Sequence, residues 1–412
     1  MAPRRRRGGR DGSQDGNSSE TDAPKNRPPN TAFRQQRMRA WQCVLTPKLI
    51  VSIFTVLAAI YLGFGAYLTY LAFTVRDISI DYTDCLRDAP RGNDTRKPIP
   101  PDNIKSHFTS KALADHPNLD PKKMSTWHVE EKNVTFEWSG ITAPRNICVI
   151  SFPIPEELPA PVSFYYHLDN FYQNHRRYVN SFNAKQLLGD AVSKDVIDGS
   201  TCKPLDLDPR GSGKVIYPCG VVANSMFNDT FSNPYNEQNS TDYVMSNKAG
   251  DISWEGLKDL YGETKYSRAD IVPPPNWEAA WPNGYTNDTK LPDLKNWADF
   301  QNWMMLAASP DFYKLVRKNE RDAMKAGNYR IEIVDNFNTT VYNGHKSIVL
   351  TTITAMGARN IWPGIIFLIV GGICLILDIY FVLSFFIWKP RKLGDPSYLS
   401  WNQPSAAQAG ST

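Results

Sequence analysis

Residues 49–75 read LIVSIFTVLAAIYLGFGAYLTYLAFTV, 27 positions without a charge. A second run, residues 361–388, reads IWPGIIFLIVGGICLILDIYFVLSFFIW and carries one charge, Asp378. About 20 apolar residues cover the hydrocarbon core of a bilayer, so each run is long enough to span it with some tilt. Neither run shows the polar face that a helix on the surface of a soluble domain keeps. The first is too long for the h-region of a signal peptide and follows a polar tail of 48 residues, so it is read as a signal anchor. The expected organisation is a cytosolic tail over 1–48, a span over 49–75, an exoplasmic domain over 76–360, a second span over 361–388 and a cytosolic tail over 389–412.

The net charge of +4 hides an asymmetry that sets the direction of both spans. The tail before Leu49 carries 11 Lys/Arg against four Asp/Glu, and the tail after Trp388 opens with Lys389, Arg391 and Lys392. The segment 76–360 between them holds 32 basic and 36 acidic residues. Basic flanks stay in the cytosol, so both termini are expected there and the middle is expected to be translocated. The Arg4–Arg7 run precedes a membrane anchor and no nucleic-acid fold follows, so no nucleic-acid partner is expected.

Cysteines and sequons are distributed in the same way. Cys43 lies in the cytosolic flank and Cys374 in the second span, while Cys85, Cys148, Cys202 and Cys219 lie in the translocated segment. Four cysteines on the oxidising side allow three pairings of two disulfides. The un-nested order with the shorter loops, Cys85–Cys148 and Cys202–Cys219, is favoured, with loop-closure contributions of about 4 and 3 kcal/mol. The spacings contain no C-x2-C pair, which argues against zinc. Asn93, Asn133, Asn228, Asn239, Asn287 and Asn338 each open an Asn-x-Ser/Thr triplet between the spans, and all six are candidate glycosylation sites. Asn17 alone falls in a predicted cytosolic tail.

The first 32 residues and the tail beyond Leu393 have the composition of disordered chain, and Phe33–Trp41 could form a short basic helix at the membrane. Between the spans, Val134–Trp138, Ile147–Ile154, Val162–Leu168, Tyr329–Val334 and Ser347–Ile353 carry the alternation of strands. Trp297–Ala308 has helical spacing, and Ser309-Pro310 predicts a second helix that Gly327 would end. The expected fold class is a membrane protein with two transmembrane α-helices. Its ectodomain should be β-rich (α+β), with an antiparallel β-sandwich-like core, helices and long loops.

No assembled catalytic site is legible, and no metal or cofactor is expected. Asp206-x-Asp208 has the form of a metal-binding pair but reads equally as an acidic turn inside the Cys202–Cys219 loop. His167 and His175 border an aromatic stretch and are read as hydrogen-bonded structural residues. Gly211–Lys214 lacks Walker spacing, and there is no G-x-S-x-G elbow.

The spans carry more information. Gly364, Gly371, Cys374 and Asp378 fall within an arc of about 80° on the second. Asp378 lies ten residues before Trp388, or about 15 Å from the cytosolic end, and a carboxylate at that depth should face protein or water. Ala59, Gly63 and Ala66 form a small-residue stripe on the first span. Such faces suit close helix packing, either between the two spans or on another protein. The second option is favoured, because one helix pair cannot easily satisfy a midplane carboxylate. Ala59, Gly63, Ala66, Gly364, Gly371 and Asp378 are therefore the candidate partner contacts.

Several longer strings resemble one family. Residues 171–179, FYQNHRRYV, match its most distinctive motif, and Pro218-Cys219-Gly220 with 223–230, ANSMFNDT, matches a second. Trp303-Met304 with Ala307–Lys314, and Gly327–Asn336, resemble two later blocks. Gly357-Ala358-Arg359-Asn360 stands where members usually read Gly-Gly-Lys-Asn. Together these resemble the Cdc-fifty family, also called ligand-effect modulator proteins, over about 48–388. The resemblance implies a non-catalytic β-subunit that pairs, as a heterodimer, with a type IV P-type ATPase moving phospholipid from the exoplasmic to the cytosolic leaflet. It implies a role in complex assembly, exit from the endoplasmic reticulum and activity. It places the complex in the endoplasmic reticulum, Golgi and endosomes or plasma membrane, and supports the two disulfides. The phosphorylated aspartate would belong to the partner, since this chain has no Asp-Lys-Thr-Gly. The 171–179 stretch is expected to serve the ectodomain core more than a partner surface. A subunit of a two-span oligomeric channel and a membrane-anchored luminal glycosyltransferase are the rival functions. The first has only Asp378 for a polar pore ring, and the second lacks a further carboxylate cluster.

Overall fold

The first apolar run becomes a helix over Pro47–Thr74, and the second a helix over Trp362–Val382 continued by a π-helical turn over Leu383–Trp388. Both are long and apolar enough to cross a bilayer, and the chain is a membrane protein. The computed structural model describes residues 31, 33–34, 45–92 and 95–388. The basic tails, most of the helix expected over Phe33–Trp41, and Cys43, Asn17 and Asn93 lie outside these residues. Contacts divide the chain into two units, Ala58–Ile373 and the remainder up to Leu57 and from Cys374.

In the Ala58–Ile373 unit the part between the spans is built on eight main strands: β1 Asp77–Asp81, β2 Ile104–His107, β3 Thr126–Thr135, β4 Thr142–Ile154, β5 Val162–Leu168, β6 Phe312–Asn319, β7 Gly327–Val334 and β8 Lys346–Thr352. One sheet runs β6-β5-β8-β1-β2, and β7, β4 and β3 form the heart of a second. All their pairings are antiparallel. The first strand after one span therefore lies beside the last strand before the other, with Asp77 opposite Thr351 and Asp81 opposite Ser347. Arg76 closes the first span by donating to the Phe73 and Thr74 carbonyls at 2.8 and 3.0 Å, and pairs with Glu156 at 2.8 Å. Asn360 opens the second by accepting the Trp362 N–H at 3.1 Å.

The sheets enclose one core, to which Ile78, Ile80, Phe164 and Leu350 come from the first sheet and Trp127, Ile150, Phe152 and Ile331 from the second. Two covalent or ionic ties cross between the sheets. The Cys85–Cys148 disulfide links the segment after β1 to β4, with Cα atoms 6.1 Å apart. Lys346, at the start of β8, is 2% exposed and donates to Asp229 Oδ2 at 2.7 Å, Asp335 Oδ1 at 2.6 Å and the Phe337 carbonyl at 2.6 Å. Asp229 also accepts from Tyr82 Oη at 2.9 Å and from the backbone N–H groups of Asn336 and Phe337 at 2.6 Å. Two carboxylates thus share one ammonium away from water, and only Asp229 has a full set of donors.

Three expectations are corrected. Residues 312–319 form strand β6, not a helix, because Phe312, Lys314 and Val316 turn inward with period two. The Ser-Pro signal marks only the bend that precedes it. The helix expected over Trp297–Ala308 covers Ala298–Met304. It stops where the Lys314 ammonium bonds the carbonyls of Asn302 and Met305 and where Gln173 Oε1 takes the Ala307 N–H. The strand expected over Val134–Trp138 ends at Thr135, and a turn with Gly140 at φ 76° carries Phe136 into the core.

Burial and then the Asp229 charge push Asp335 up to about 6, whereas burial opposes the Lys346 ammonium but the two carboxylates hold it above the lysine range. The folded state therefore binds the Asp335 proton more tightly than the unfolded chain does. Its contribution is complete below the unfolded carboxylate value near 3.9 and is lost as pH rises through about 6. Asp299, pushed up to about 6 by burial, has the same sign. From pH 5 to 7.5 the Asp335 part amounts to about 1 kcal/mol. Asp335→Asn should remove it, so tryptophan-monitored unfolding across this range should show a shallower fall in stability than wild type. Equal slopes would contradict the assignment. Lys346→Met, which strands both carboxylates, should cost about 3–5 kcal/mol and lower the yield of folded chain.

Candidate partner-binding site on the spans and ectodomain

Each glycine side of the spans has a distinct neighbour. A Cβ at Gly371 would lie 2.8 Å from Leu62 Cγ, and one at Gly364 would run into Thr69 and the Gly65 carbonyl. Gly65, which the sequence did not single out, faces the Leu368 backbone at 2.9 Å in the same sense. The seam is therefore Gly65 with Gly364 and Gly371, reinforced by Tyr61 and Phe64 on the Phe367 ring. Gly364 and Gly371 are corrected from partner contacts to intrachain contacts, because without side chains they let the two backbones approach. Ala59, Gly63 and Ala66 are exposed instead, and a Cβ at Gly63 would meet nothing within 4 Å.

In the second unit Phe54 packs on Phe381 at 5.5 Å, and Asp378 meets Thr55. Thr55 Oγ1 is 3.1 Å from Asp378 Oδ2 and 2.9 Å from the Val51 carbonyl, and its single proton serves one of them at a time. Asp378 Oδ1 is buried without a hydrogen-bond partner among the described residues. Cys374 is a half-buried free thiol.

In the ectodomain the sequence motifs meet. Phe171 packs on Trp303 at 5.5 Å, Gln173 Oε1 accepts the Ala307 N–H at 2.8 Å, and Tyr178 Oη is 2.8 Å from Ser225 Oγ. Trp303 and Trp277 donate to the carbonyls of Val222 and Ala223 at 2.8 and 2.9 Å. Gly220, at φ 102°, sits so close to the Ser181 carbonyl that a Cβ would collide with it. The expected core role thus holds for Phe171, Gln173 and Tyr178, while Tyr172, Asn174, His175, Arg176 and Arg177 are exposed. The β5–β8 register, Leu168 opposite Lys346 and Val162 opposite Thr352, puts this junction at the end of the sheet away from the spans.

The other candidates occupy ordinary places. Cys202 is bonded to Cys219, with Cα atoms 5.6 Å apart. Asp206 accepts from the Gly199 and Leu207 N–H groups, and Asp208 from the Arg210 N–H, so these carboxylates are occupied by turns. His167 pairs with Asp311 at 2.7 Å, whereas His175 is exposed and its ring makes none of the expected hydrogen bonds among the described residues. Arg359 donates to His107 Nε2 at 2.7 Å, and His107 Nδ1 faces Asp77 at 3.0 Å, which ties the segment before the second span to β1 and β2. Asn133, Asn239, Asn287 and Asn338 are exposed. Asn228 is half-buried, with Oδ1 enclosed and without a hydrogen-bond partner among the described residues.

The sequence model of the LEM3 (ligand-effect modulator 3) family / CDC50 family matches residues 68–392. The chain belongs to this family. A Chaetomium thermophilum relative, named phospholipid-transporting ATPase accessory subunit CDC50, is 62% identical over 413 residues, covering 98% of each chain. The Saccharomyces cerevisiae phospholipid-transporting ATPase accessory subunit CRF1 is 38% identical over 389 residues, covering 93% of this chain and 91% of its own. Cell cycle control protein 50A of Mus musculus is 30% identical over 380 residues, covering 86% and 87%. The LEM3/CDC50 match takes in the ectodomain, the second span and the end of the first.

For this LEM3/CDC50 chain, Gly364→Leu and Gly371→Leu should each destabilise the span pair by about 1–3 kcal/mol through overpacking. Gly63→Leu and Gly372→Leu, where a Cβ would meet nothing within 4 Å, should leave the thermal midpoint of the detergent-solubilised chain unchanged.

Proposed function

We propose that this chain is the accessory subunit of a phospholipid-transporting P-type ATPase, needed for assembly, export from the endoplasmic reticulum and activity of the complex. The 62% identity across 98% of a protein named as such a subunit carries the proposal. The architecture supports it, since two apolar helices and a disulfide-tied β domain suit a partner held in and above the membrane. Catalysis then resides in the ATPase, whose own aspartate takes the phosphoryl group, and this chain supplies folding and positioning. Both tails face the cytosol, as their basic residues favour, and the complex works in the secretory and endosomal membranes or at the cell surface.

On this view Ala59, Gly63 and Ala66 meet one of the partner's helices, and separately a partner donor completes the bonding of Asp378 Oδ1. Glycans occupy Asn133, Asn239, Asn287 and Asn338, whereas the half-buried Asn228 stays bare.

Affinity purification of the tagged chain in mild detergent should recover a P-type ATPase in roughly equal amount. A homotrimer, or a lone chain that turns over sugar nucleotides, would overturn the proposal. Gly63→Leu combined with Ala66→Leu should reduce ATPase recovery at least several-fold with an unchanged ectodomain melt, and Asp378→Ala should do so more than Asp378→Asn. Removing Asn133, Asn239, Asn287 or Asn338 should each delete one step of glycosidase-sensitive gel mobility, and Asn228→Gln none.

A further inference from the structure

The ectodomain holds a cavity of about 160 Å³ whose walls include Trp138, Tyr166, Phe227, Asp299, Asn302 and Arg317. Its apolar side is aromatic, with Tyr166 and Phe227 stacked at 3.9 Å and Trp138 stacked on Trp297 at 5.0 Å. Its polar side is unfinished. The Tyr166 hydroxyl and the Asp299 carboxylate have no side-chain hydrogen bond among the described residues, and both are dominated by burial. Arg317 gives Nη2 to the Phe231 carbonyl at 2.9 Å, yet its Nε is buried without a hydrogen-bond partner among the described residues. Arg317 and Asp299 form no ion pair among the described residues.

This contrasts with the rest of the domain. Lys346 touches both of its carboxylates, as a buried charge must to offset its desolvation. Around the cavity the Arg317 guanidinium and the carboxylates of Asp299 and Glu137 form no ion pair among the described residues, Asp229 is already taken by Lys346, and a phenol, an amide and aromatic faces complete the walls. A concave site with aromatic walls and a few converging polar groups is the usual form of a small-molecule pocket. Opposite charges that do not touch call for an occupant bearing both. The adjacent rings add a face on which an ammonium rests favourably.

We propose that this cavity binds a small zwitterion, its ammonium directed to Asp299 and its phosphate or carboxylate to Arg317, with the Tyr166 hydroxyl bonding the anionic end. The occupant is either a free zwitterion or the headgroup of a phospholipid, which share this chemistry. The site does not depend on the accessory-subunit proposal, and its test uses the chain without an ATPase.

Titration of the full chain in mild detergent with phosphoethanolamine, followed by tryptophan emission and calorimetry, should give saturable binding. Ethanolamine alone and inorganic phosphate alone should bind at least tenfold more weakly. Asp299→Asn and Arg317→Gln should each weaken binding by about tenfold or more, the loss expected for a charged hydrogen bond. Tyr166→Phe keeps the stacked ring and should weaken binding several-fold with an unchanged melt, so the test survives if Arg317→Gln misfolds. Competition by phosphatidylethanolamine in nanodiscs assigns the headgroup, and its absence assigns the free zwitterion. Lack of saturable binding, equal binding of the half-ligands, or indifference to Tyr166→Phe and Asp299→Asn would each overturn the proposal.

Discussion

The Lys346 ammonium between Asp229 and Asp335 is the constraint on which the ectodomain turns. It joins the first residue of β8, in one sheet, to the segments flanking the second sheet, and Tyr82 brings in the chain just after β1. β1 and β8 are also the strands that follow and precede the two spans, and the network ties them at the end of the sheet away from the spans. A buried ionic cluster contributes little net stability compared with apolar packing, but removing any one partner leaves a charge stranded. What it enforces is a particular register, because no neighbouring alignment of β8 puts the ammonium against both carboxylates.

The family motifs occupy a second, related position. Phe171, Trp303 and the 218–230 stretch come from distant parts of the chain and close on one another above β5 and β8, next to the same Asp229. Indole N–H groups bonded to the carbonyls of Val222 and Ala223 satisfy a non-repetitive loop that no sheet could serve. These strings are distinctive because they form a junction of aromatic and backbone groups, where each residue answers to several others at once.

Local pattern revealed most of the long strands. β5 matches its predicted range and β7 contains its own, where alternation records a buried and a less buried face, and β4 contains the predicted Ile147–Ile154, which is buried throughout. β8, expected over Ser347–Ile353, runs over Lys346–Thr352 and is buried at all seven positions, and the lysine that opens it gives no local sign of a partner. β6 was mistaken for a helix because Ser309-Pro310 is a local start signal, while the pairing to β5 that makes it a strand comes from about 150 residues away. The cavity shows no signal along the sequence, since Tyr166, Asp299 and Arg317 meet only in the fold.

Hydrophobicity by itself determined that this chain carries two spans around one intervening domain, because transfer into a bilayer depends on composition over about 20 consecutive residues. It also limited the disulfides to four cysteines. Which glycines face which helix was left to the tertiary structure. Periodicity marks a smooth face but not its neighbour, and only packing showed that Gly65, Gly364 and Gly371 close the span pair while Ala59, Gly63 and Ala66 stay open. The pairing of Lys346 and the separation of Asp299 from Arg317 were decided there too, since a buried charge is settled by what surrounds it in space.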